Sequence, residues 1–329
     1  MHLFTSNSDR EPEDLRNCWS IWLILAGIVI IGLACEVATQ SWFHRASKID
    51  RRITQEYRDV RALRPYSASG EPTMLLLGNS LLLEAVEYSD LKSALAQQYD
   101  LHRLVFEQTE YLEQYYLLRT LLRNGSRPRY VVFCTSGYHL IGDDLRGEFM
   151  DRYLDTVDIA SLGMRKHQDS TTMSSHFFAH LSDWFANRGE IRKFVLGTAM
   201  PDVRNLTTVL AWQPASSISK EEARRKAEPR LREFKALCDQ YGVRLIVLIP
   251  PSIRDVDATT LASIAKTLDI PLLFPEKPGE MSRTLFRDGF HLTPTGAKIF
   301  TDQVRSGLAT LETEPSAVRL EEARPVTVQ

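Results

Sequence analysis

The sequence predicts a three-layer α/β domain, built on a doubly wound parallel sheet and preceded by one transmembrane helix. Short apolar runs alternate with helical stretches of about ten residues or more, which is the pattern of a parallel sheet with helices on both faces. The runs are almost wholly apolar, as strands buried on both sides require. A separate stretch without charge lies near the N-terminus and is long enough to cross a bilayer.

The composition fits one full-sized domain with additions, because the chain has 329 residues, of which 43% are hydrophobic and 25% charged. The net charge is -2, so the basic excess that displaces counterions from nucleic acid is missing, and we expect no nucleic-acid partner. Cys18, Cys35, Cys134 and Cys238 do not have zinc-binding spacing. We expect buried free thiols at Cys134 and Cys238, although a disulfide between them stays open.

Residues 1–16 form a polar tail, and we predict a transmembrane helix over residues 17–38. The stretch from Trp19 to Cys35 has no charged residue. Extended to Ala38 it has roughly 20 residues, enough for ~30 Å of hydrocarbon at about 1.5 Å per residue. A cleaved signal peptide is the alternative, but it would have a shorter apolar region and a more positive leading segment. We therefore favour an uncleaved anchor.

Residues 39–72 are predicted as a helical stalk and linker, because they have helical composition up to Pro65 and a loop composition after it. The α/β domain is predicted over residues 73–312, and residues 313–329 as a disordered tail. The predicted strands are the apolar runs Met74–Gly78, Leu101–Phe106, Arg129–Cys134, Val243–Pro251 and Ile270–Phe274.

Helices are predicted between and after these strands, at Leu81–Gln98, Tyr111–Arg123, Lys220–Gln240, Ala258–Leu268 and from Thr293 to about Leu311. The alternation stops over residues 138–219, which we interpret as a mostly helical insertion over the carboxyl ends of the strands, where such folds bind ligands. Its His176 and His180 are four positions apart but lack an acidic partner in a metal-binding motif, so we expect no metal.

The first candidate for chemistry is Ser80, in the sequence Gly78-Asn79-Ser80 between the first strand and its helix. A serine there has its own backbone N–H at the start of a helix, where developing negative charge is stabilised. Taken alone, Ser80 is better explained as an N-cap, a position that serine fills well. The lipase-type elbow is absent, because Leu82 stands where its second glycine would be.

The second candidate is Asp288 with His291, three positions apart in a loop before the last helix. This spacing lets the carboxylate accept a hydrogen bond from Nδ1 of the imidazole, which leaves Nε2 free to take a proton from Ser80. Thr293 then caps the helix, with Pro294 at its first position. Because the carboxyl ends of parallel strands share one edge, all three side chains are predicted to meet there.

These two motifs together resemble the SGNH hydrolase superfamily, also called the GDSL type, over roughly residues 74–310. Gly78-Asn79-Ser80 resembles its first block, and Asp288-Gly289-Phe290-His291 followed by Thr293 and Gly296 resembles its last. The resemblance implies a flavodoxin-like sheet, a Ser80–His291–Asp288 triad, an acyl-enzyme and no cofactor. Asn79 in place of Asp is similar to membrane-anchored members that modify polysaccharides as O-acyltransferases or esterases.

The sequence departs from the family at the oxyanion positions. The family has a glycine after the second strand and an asparagine after the third, whereas this chain has Phe106–Tyr111 and Cys134–His139 there, without either residue in place. We predict that the oxyanion donors come from the Ser80 N–H and from Thr109, Ser136 or Gly137. One lost donor costs about 10²–10³ in rate, so fast esterase activity is in question.

The membrane orientation has two indications that disagree. Four basic residues follow the span and by the positive-inside rule would keep the domain in the cytoplasm; they are Arg45, Lys48, Arg51 and Arg52. They alternate with acidic residues on a predicted helix, and large domains cross membranes largely regardless of charge. The family resemblance favours the outside, so we expect an extracytoplasmic domain, in the periplasm or at the cell surface.

The predicted function is acyl-ester chemistry on a carbohydrate or other hydroxyl acceptor, with a membrane-bound acyltransferase as a possible partner. The alternative from another class is an inactive SGNH-like scaffold for polysaccharide assembly, which the altered oxyanion positions favour. A dinucleotide-binding domain is excluded, because the first strand-to-helix turn has only Gly78 and no glycine-rich phosphate loop.

Overall fold

The computed structural model describes residues 13–199, 220–253, 258–277 and 279–311. Most of the polar tail predicted over residues 1–16 therefore lies outside the described residues. So do residues 200–219 of the predicted insertion and the predicted C-terminal tail 313–329.

The chain begins with one long apolar helix. Helix α1 (Glu13–Ala38) continues through a π-helical turn, Thr39–Phe43, into the short α2 (His44–Ala46). Its stretch from Trp19 to Ala46 has 28 residues and is apolar and long enough to span a membrane. Its apolar side chains are largely exposed, with Trp22 at 69% and Ile28 at 61%, so the described part of the chain does not bury this surface.

The sheet has five parallel strands in the order β2-β1-β3-β4-β5. This order confirms the predicted doubly wound α/β fold, whose order reverses between β1 and β3. The strands are β1 (Thr73–Gly78), β2 (Asp100–Val105), β3 (Tyr130–Cys134), β4 (Arg244–Leu248) and β5 (Leu272–Leu273).

Helices cover the sheet on both faces. They are α3 (Lys48–Val60), α4 (Ser80–Ala85), α5 (Tyr88–Leu95), α6 (Tyr111–Arg123), α7 (Gly137–Ile141), α8 (Thr156–Arg165), α9 (Ser170–Leu181), α10 (Asp183–Ala199), α11 (Lys220–Gln240), α12 (Ala258–Thr267) and α13 (Pro294–Thr310). Two 3₁₀ turns, Glu148–Arg152 and Arg283–Leu285, complete the described elements.

The core lies on the two faces of the sheet, because successive strand residues point to opposite sides. Leu75 and Leu77 of β1 join the cluster with α3, α6, α11 and α12. Met74 and Leu76 join the cluster with α4, α5 and α13. Both thiols of the domain, Cys134 and Cys238, are buried and free, as predicted.

The helix predicted over 81–98 is wrong as one element, because it is divided into α4 and α5. The chain leaves the helix at Val86, which is extended and buried. The Glu87 N–H then donates to the Thr301 hydroxyl of α13 at 2.9 Å. A contact with a residue 214 positions away therefore supports the break.

The segment predicted as a stalk, residues 39–72, is in its helical part a component of the domain. Helix α3 buries Ile53 and Val60 completely. Its Glu56 carboxylate accepts hydrogen bonds from the Val105 N–H at 2.9 Å and from the Arg103 Nε at 2.8 Å. Helix α3 thus covers the β2 edge of the sheet, which would otherwise expose unpaired backbone groups.

The predicted insertion, residues 138–219, lies only partly over the carboxyl ends of the strands. Helix α7 starts directly beyond β3, and Tyr153 stacks edge-on against Phe106, beyond β2, at 4.9 Å between ring centres. Helices α8, α9 and α10 pack on one another, on α6 and on the end of the N-terminal helix. The prediction was incomplete because the apolar faces of these helices do not show which surface they cover.

Candidate active site

The turn after β1 presents Ser80 at the first position of α4. Gly78 suits this close approach, because a Cβ would lie 3.1 Å from the Cys134 carbonyl oxygen and 3.0 Å from Leu82 Cβ, closer than most Cβ contacts. Ser80 is partly exposed, and as the first residue of the helix its N–H has no acceptor within α4. The turn therefore leaves both the hydroxyl and the amide of Ser80 available at the surface of the site.

Asn79 joins this turn to the loop after β2. Its side chain is buried; Oδ1 accepts from the Leu81 N–H at 3.0 Å, and Nδ2 donates to the Thr109 carbonyl oxygen at 3.0 Å. An aspartate could accept the first bond, but an ionised carboxylate could not donate the second. The amide at this position thus has a physical reason, which the sequence alone did not indicate.

The loop that carries Asp288 and His291 is a tight hairpin-like turn. Phe286 and Leu292 form an antiparallel bridge, and the Arg287 N–H donates to the His291 carbonyl oxygen at 2.8 Å. Gly289 at the tip has φ 91°, a left-handed conformation that favours glycine.

This loop is attached to the rest of the domain at several points. The Gly289 carbonyl oxygen accepts from the Ile253 N–H at 3.0 Å, and Arg287 forms an ion pair with Glu84 of α4. Thr293 caps α13 by accepting from the Gly296 N–H at 3.3 Å. A Cβ on Gly296 would lie 2.7 Å from the Leu285 carbonyl oxygen, so the close approach requires glycine.

The structure brings Ser80, His291 and Asp288 together in one hydrogen-bonded chain. The His291 Nε2 lies 3.0 Å from the Ser80 Oγ, and the His291 Nδ1 lies 2.7 Å from an Asp288 carboxylate oxygen. The second oxygen of Asp288 accepts from the N–H groups of Phe290 and His291 at 3.0 and 2.8 Å. This geometry allows the imidazole to take the proton of the serine hydroxyl.

Asp288 is held in its ionised form. Partial burial by itself raises the pKa of this carboxyl, but the hydrogen bonds from the His291 ring and from the N–H groups of His291 and Phe290 outweigh it and lower the pKa. An ionised Asp288 keeps the imidazole proton on Nδ1, so Nε2 faces Ser80 as an acceptor.

The loop after β2 uses the hydroxyl of Thr109 internally. Thr109 is fully buried, and its Oγ1 donates to the Phe106 carbonyl oxygen at 2.7 Å and accepts from Gln114 at 3.1 Å. The Thr109 hydroxyl is therefore engaged within the loop, and the backbone N–H is the group through which Thr109 can act as the predicted oxyanion donor. Gln108 before it has φ 63°, a left-handed conformation that a glycine adopts at lower cost.

The loop after β3 uses Ser136 in a similar way. The Ser136 hydroxyl accepts from the His139 N–H at 3.2 Å as the N-cap of α7 and lies 2.7 Å from the His139 Nδ1. Gly137 is buried as the first residue of α7. Neither predicted oxyanion side chain in these two loops therefore has a hydroxyl that points freely at a substrate.

His139 is the residue of this site that the sequence analysis did not select. Burial first, and the nearby His291 second, lower its pKa to about 4, so the ring is neutral near pH 7. Because its Nδ1 faces the Ser136 hydroxyl, we assign the ring proton to Nε2. With this assignment, the neutral imidazole has an N–H group on Nε2 in the loop after the third strand.

The histidines of the insertion have structural partners. The His176 Nδ1 lies 2.7 Å from an Asp151 carboxylate oxygen, and the His180 Nδ1 lies 2.9 Å from the Asp151 carbonyl oxygen. Within the described parts of the chain, there is no group of three or more His, Cys, Asp or Glu side chains that could hold a metal.

Comparison with known proteins gives solved structures that are similar to this chain. They include a proposed acylhydrolase from Bacteroides fragilis (11% identity, TM-score 0.39, covering 80% of this chain and 97% of that one). A GDSL-like lipase from Bacteroides thetaiotaomicron has 10% identity and a TM-score of 0.38, covering 79% and 97%. A carbohydrate esterase family 3 protein from Talaromyces cellulolyticus has 11% identity and a TM-score of 0.34, covering 74% and 99%.

No family model matches the chain, and no curated protein matches it.

Proposed function

We propose that the protein is a serine esterase or O-acyltransferase of the SGNH type, acting on acyl esters of a cell-surface or exported carbohydrate. The observation that carries this proposal is the hydrogen-bonded chain in which Ser80 Oγ lies 3.0 Å from His291 Nε2 and His291 Nδ1 lies 2.7 Å from Asp288. Both distances are those that a nucleophile, its base and the group orienting that base require.

The reaction has two halves. In the first, His291 takes the Ser80 proton while Ser80 Oγ attacks the acyl carbonyl, and the protonated imidazole then gives that proton to the leaving alcohol. In the second, a water or a sugar hydroxyl loses its proton to His291 and attacks the acyl-serine. The acyl group then leaves Ser80 as the protonated imidazole returns the proton to Ser80 Oγ. Water as acceptor gives an esterase, and a sugar hydroxyl gives a transferase.

Three groups are proposed to stabilise the oxyanion of each tetrahedral intermediate. The Ser80 N–H is at the start of α4, and the Thr109 N–H belongs to the loop that Asn79 joins to the serine turn. The third is the Nε2–H of His139, which takes the place of the family's asparagine. Donors placed where charge develops are worth about 10²–10³ each in rate.

The carbohydrate part of the proposal is supported by the likeness of Gly78-Asn79-Ser80 to polysaccharide-modifying members of the family. Exposure of the site supports it too: the side chains of His291 and Asp288 are 26% and 44% exposed, so a bulky hydroxyl acceptor can approach. We propose that the N-terminal helix anchors the domain outside the cytoplasm. A membrane-bound acyltransferase could there supply the acyl group.

The second candidate function is an inactive scaffold for polysaccharide assembly. It is favoured by one observation, namely that the Thr109 and Ser136 hydroxyls are engaged within their own loops. Such a scaffold would bind carbohydrate without forming an acyl-serine.

The test uses the full-length protein in detergent with p-nitrophenyl acetate and with acetylated xylan. We expect released product from the wild type and none above background from Ser80→Ala. Ser93→Ala, at an exposed position of α5, is the matched control and should keep wild-type turnover. If Ser80→Ala turns over the esters as fast as the wild type, the proposal is refuted. If the wild type binds acetylated xylan but turns over neither ester, the scaffold is favoured.

A further inference from the structure

The corner between α9 and α10 is joined to the N-terminal apolar helix. The Glu36 carboxylate accepts from the Ser182 hydroxyl at 2.8 Å and from the N–H groups of Asp183 and Trp184 at 3.0 and 3.1 Å. Glu36 thus caps α10 from another helix and satisfies N–H groups that a helix start leaves unpaired. Since Glu36 ends the charge-free stretch, the corner is at the level where that stretch ends.

The α9–α10 corner also lies beside the charge-free part of the N-terminal helix, on the N-terminal side of Glu36. A groove separates the corner from this helix, and Val29, Gly32 and Leu33 line the side that the helix forms. Val29 precedes Glu36 by seven positions, which is roughly 10 Å along a helix. The side chains of the corner that line the groove are Phe178, Leu181, Trp184 and Phe185.

The same corner exposes large apolar side chains. Leu181 is 80% exposed, Phe178 59% and Trp184 37%. Apolar side chains crowded at one corner are unfavourable in water, whereas aromatic and leucine side chains are stabilised in the boundary region of a bilayer. Their surface is continuous with the exposed apolar surface of the N-terminal helix, where Val29 is 59% and Leu33 61% exposed.

Further contacts fix the position of the α9–α10 corner relative to the N-terminal helix. Trp42 and Phe194 of α10 make an edge-on contact at 5.6 Å between ring centres, so α10 follows the N-terminal helix away from Glu36. Arg152 pairs with Asp183, the first residue of α10, and with Asp50 of α3, each at 2.7 Å. Aromatic packing and the Glu36 cap thus link the N-terminal helix to α10, and the ion pairs of Arg152 fix α10 against α3.

We propose that the α9–α10 corner inserts Phe178, Leu181 and Trp184 into the outer part of the lipid bilayer, as a second membrane contact beside the N-terminal helix. The inference rests on the proposed membrane anchoring. Its occupant is lipid, because the corner continues a lipid-facing helix and lies within about 5–10 Å of the boundary, the depth at which interfacial helices sit. The domain is then held in one orientation on the membrane instead of swinging on a flexible connection.

The experiment places an environment-sensitive nitrobenzoxadiazole label at single cysteines in the full-length protein. Cys18 and Cys35 are replaced by alanine, and Cys134 and Cys238 are buried. The label is introduced by Leu181→Cys at the corner and by Ile28→Cys in the N-terminal helix. The matched control is Met164→Cys, an apolar residue of α8 that is 69% exposed.

The purified variants are placed in vesicles of phosphatidylethanolamine and phosphatidylglycerol, with and without doxyl-labelled lipid. We expect quenching by the doxyl group at position 181 as well as at position 28, and at least about threefold less at position 164. Quenching at 181 equal to that at 164, with strong quenching at 28, would overturn the inference. That outcome includes a corner reserved for a protein partner, since these vesicles contain none.

Failure of the anchor itself gives a different result, because position 28 would then escape the lipid quencher, and this too overturns the inference. Esterase activity measured on the same three variants is expected to equal that of the unlabelled protein. If esterase activity is lost while the doxyl quenching is as expected, the result bears on the catalytic proposal and leaves the membrane contact of the corner supported.

Discussion

The two sides of the candidate site are built in different ways. On the side of the nucleophile, Ser80, His291 and Asp288 form a complete hydrogen-bonded chain. On the opposite side, the loops after β2 and β3 have Gln108 in a left-handed conformation and His139 against Ser136. The comparison teaches that proton transfer depends on a few side chains at short spacing, whereas an anion site depends on backbone shape that different residues can produce.

The largest effect is expected on the side of the nucleophile. Asp288→Asn keeps an oxygen that accepts from the backbone N–H groups, but its amide NH₂ donates to His291 Nδ1. The ring proton then lies on Nε2, so Nε2 can no longer accept the proton of the Ser80 hydroxyl. We expect kcat for p-nitrophenyl acetate to fall about 10⁴-fold. The control Asp302→Asn, in an exposed position of α13, should leave kcat unchanged. A similar kcat in both variants would remove Asp288 from the mechanism.

A smaller loss is expected on the opposite side. His139→Ala removes the proposed Nε2–H donor, and we expect kcat to fall about 10²-fold with little change in KM. If instead KM rises at constant kcat, His139 binds the substrate and does not stabilise the transition state.

The same variant should change the pH dependence of stability. The pKa of His139 is lowered from 6.5 to about 4 by burial and by His291, so the unfolded chain binds the proton more readily. Its contribution to the free energy of unfolding is present above pH 6.5 and lost as pH falls towards 4, by at most ~1.4 kcal/mol per pH unit. Denaturant unfolding at several pH values should show this slope in the wild type, and a slope that is smaller in His139→Ala.

Asn79→Asp tests the connection between the two sides. The new carboxylate would face the Thr109 carbonyl oxygen without a proton to donate, and we expect the free energy of unfolding to fall by about 1–3 kcal/mol. Burial raises the pKa of such a carboxyl, so the loss is present at neutral pH and shrinks as acid protonates the group. A loss of stability that does not depend on pH would contradict the observed bond from Asn79 to Thr109.

The smallest effect is expected at Gln108. Glycine adopts a positive φ at lower cost, but it also gains freedom in the unfolded chain, so Gln108→Gly should stabilise the protein by no more than about 1 kcal/mol. Gln108→Ala keeps the strain and should bring no gain. Thermal unfolding of both variants measures the difference, and a gain from alanine equal to that from glycine would show that φ is not the cause.

The features predicted well are those that depend on residues close together in the chain. The apolar strands, the helices Tyr111–Arg123 and Lys220–Gln240 and the approach of Asp288 to His291 all follow from local periodicity or spacing. The sheet order follows from parallel connectivity together with the resemblance.

The remaining features depend on contacts between distant segments. The break after α4 is supported by the hydrogen bond from the Glu87 N–H to the Thr301 hydroxyl. Helix α3 packs against the domain because β2 is an edge strand, whose Val105 N–H donates to Glu56. The positive φ of Gln108 has no sequence signal, because glutamine rarely adopts it. His139 follows the third strand and could face the site, but the sequence favours a structural or surface role for such a histidine, because its approach to His291 exists only once the sheet is assembled.

The central claim is that Ser80 becomes acylated, and mass spectrometry of the trapped protein tests it most directly. The full-length protein is incubated briefly with p-nitrophenyl acetate, quenched in acid and digested. We predict the added mass of one acetyl group on the peptide that contains Ser80, and no such addition in His291→Ala, which lacks the base. An unmodified Ser80 peptide in a wild type that still turns over the ester would contradict the account.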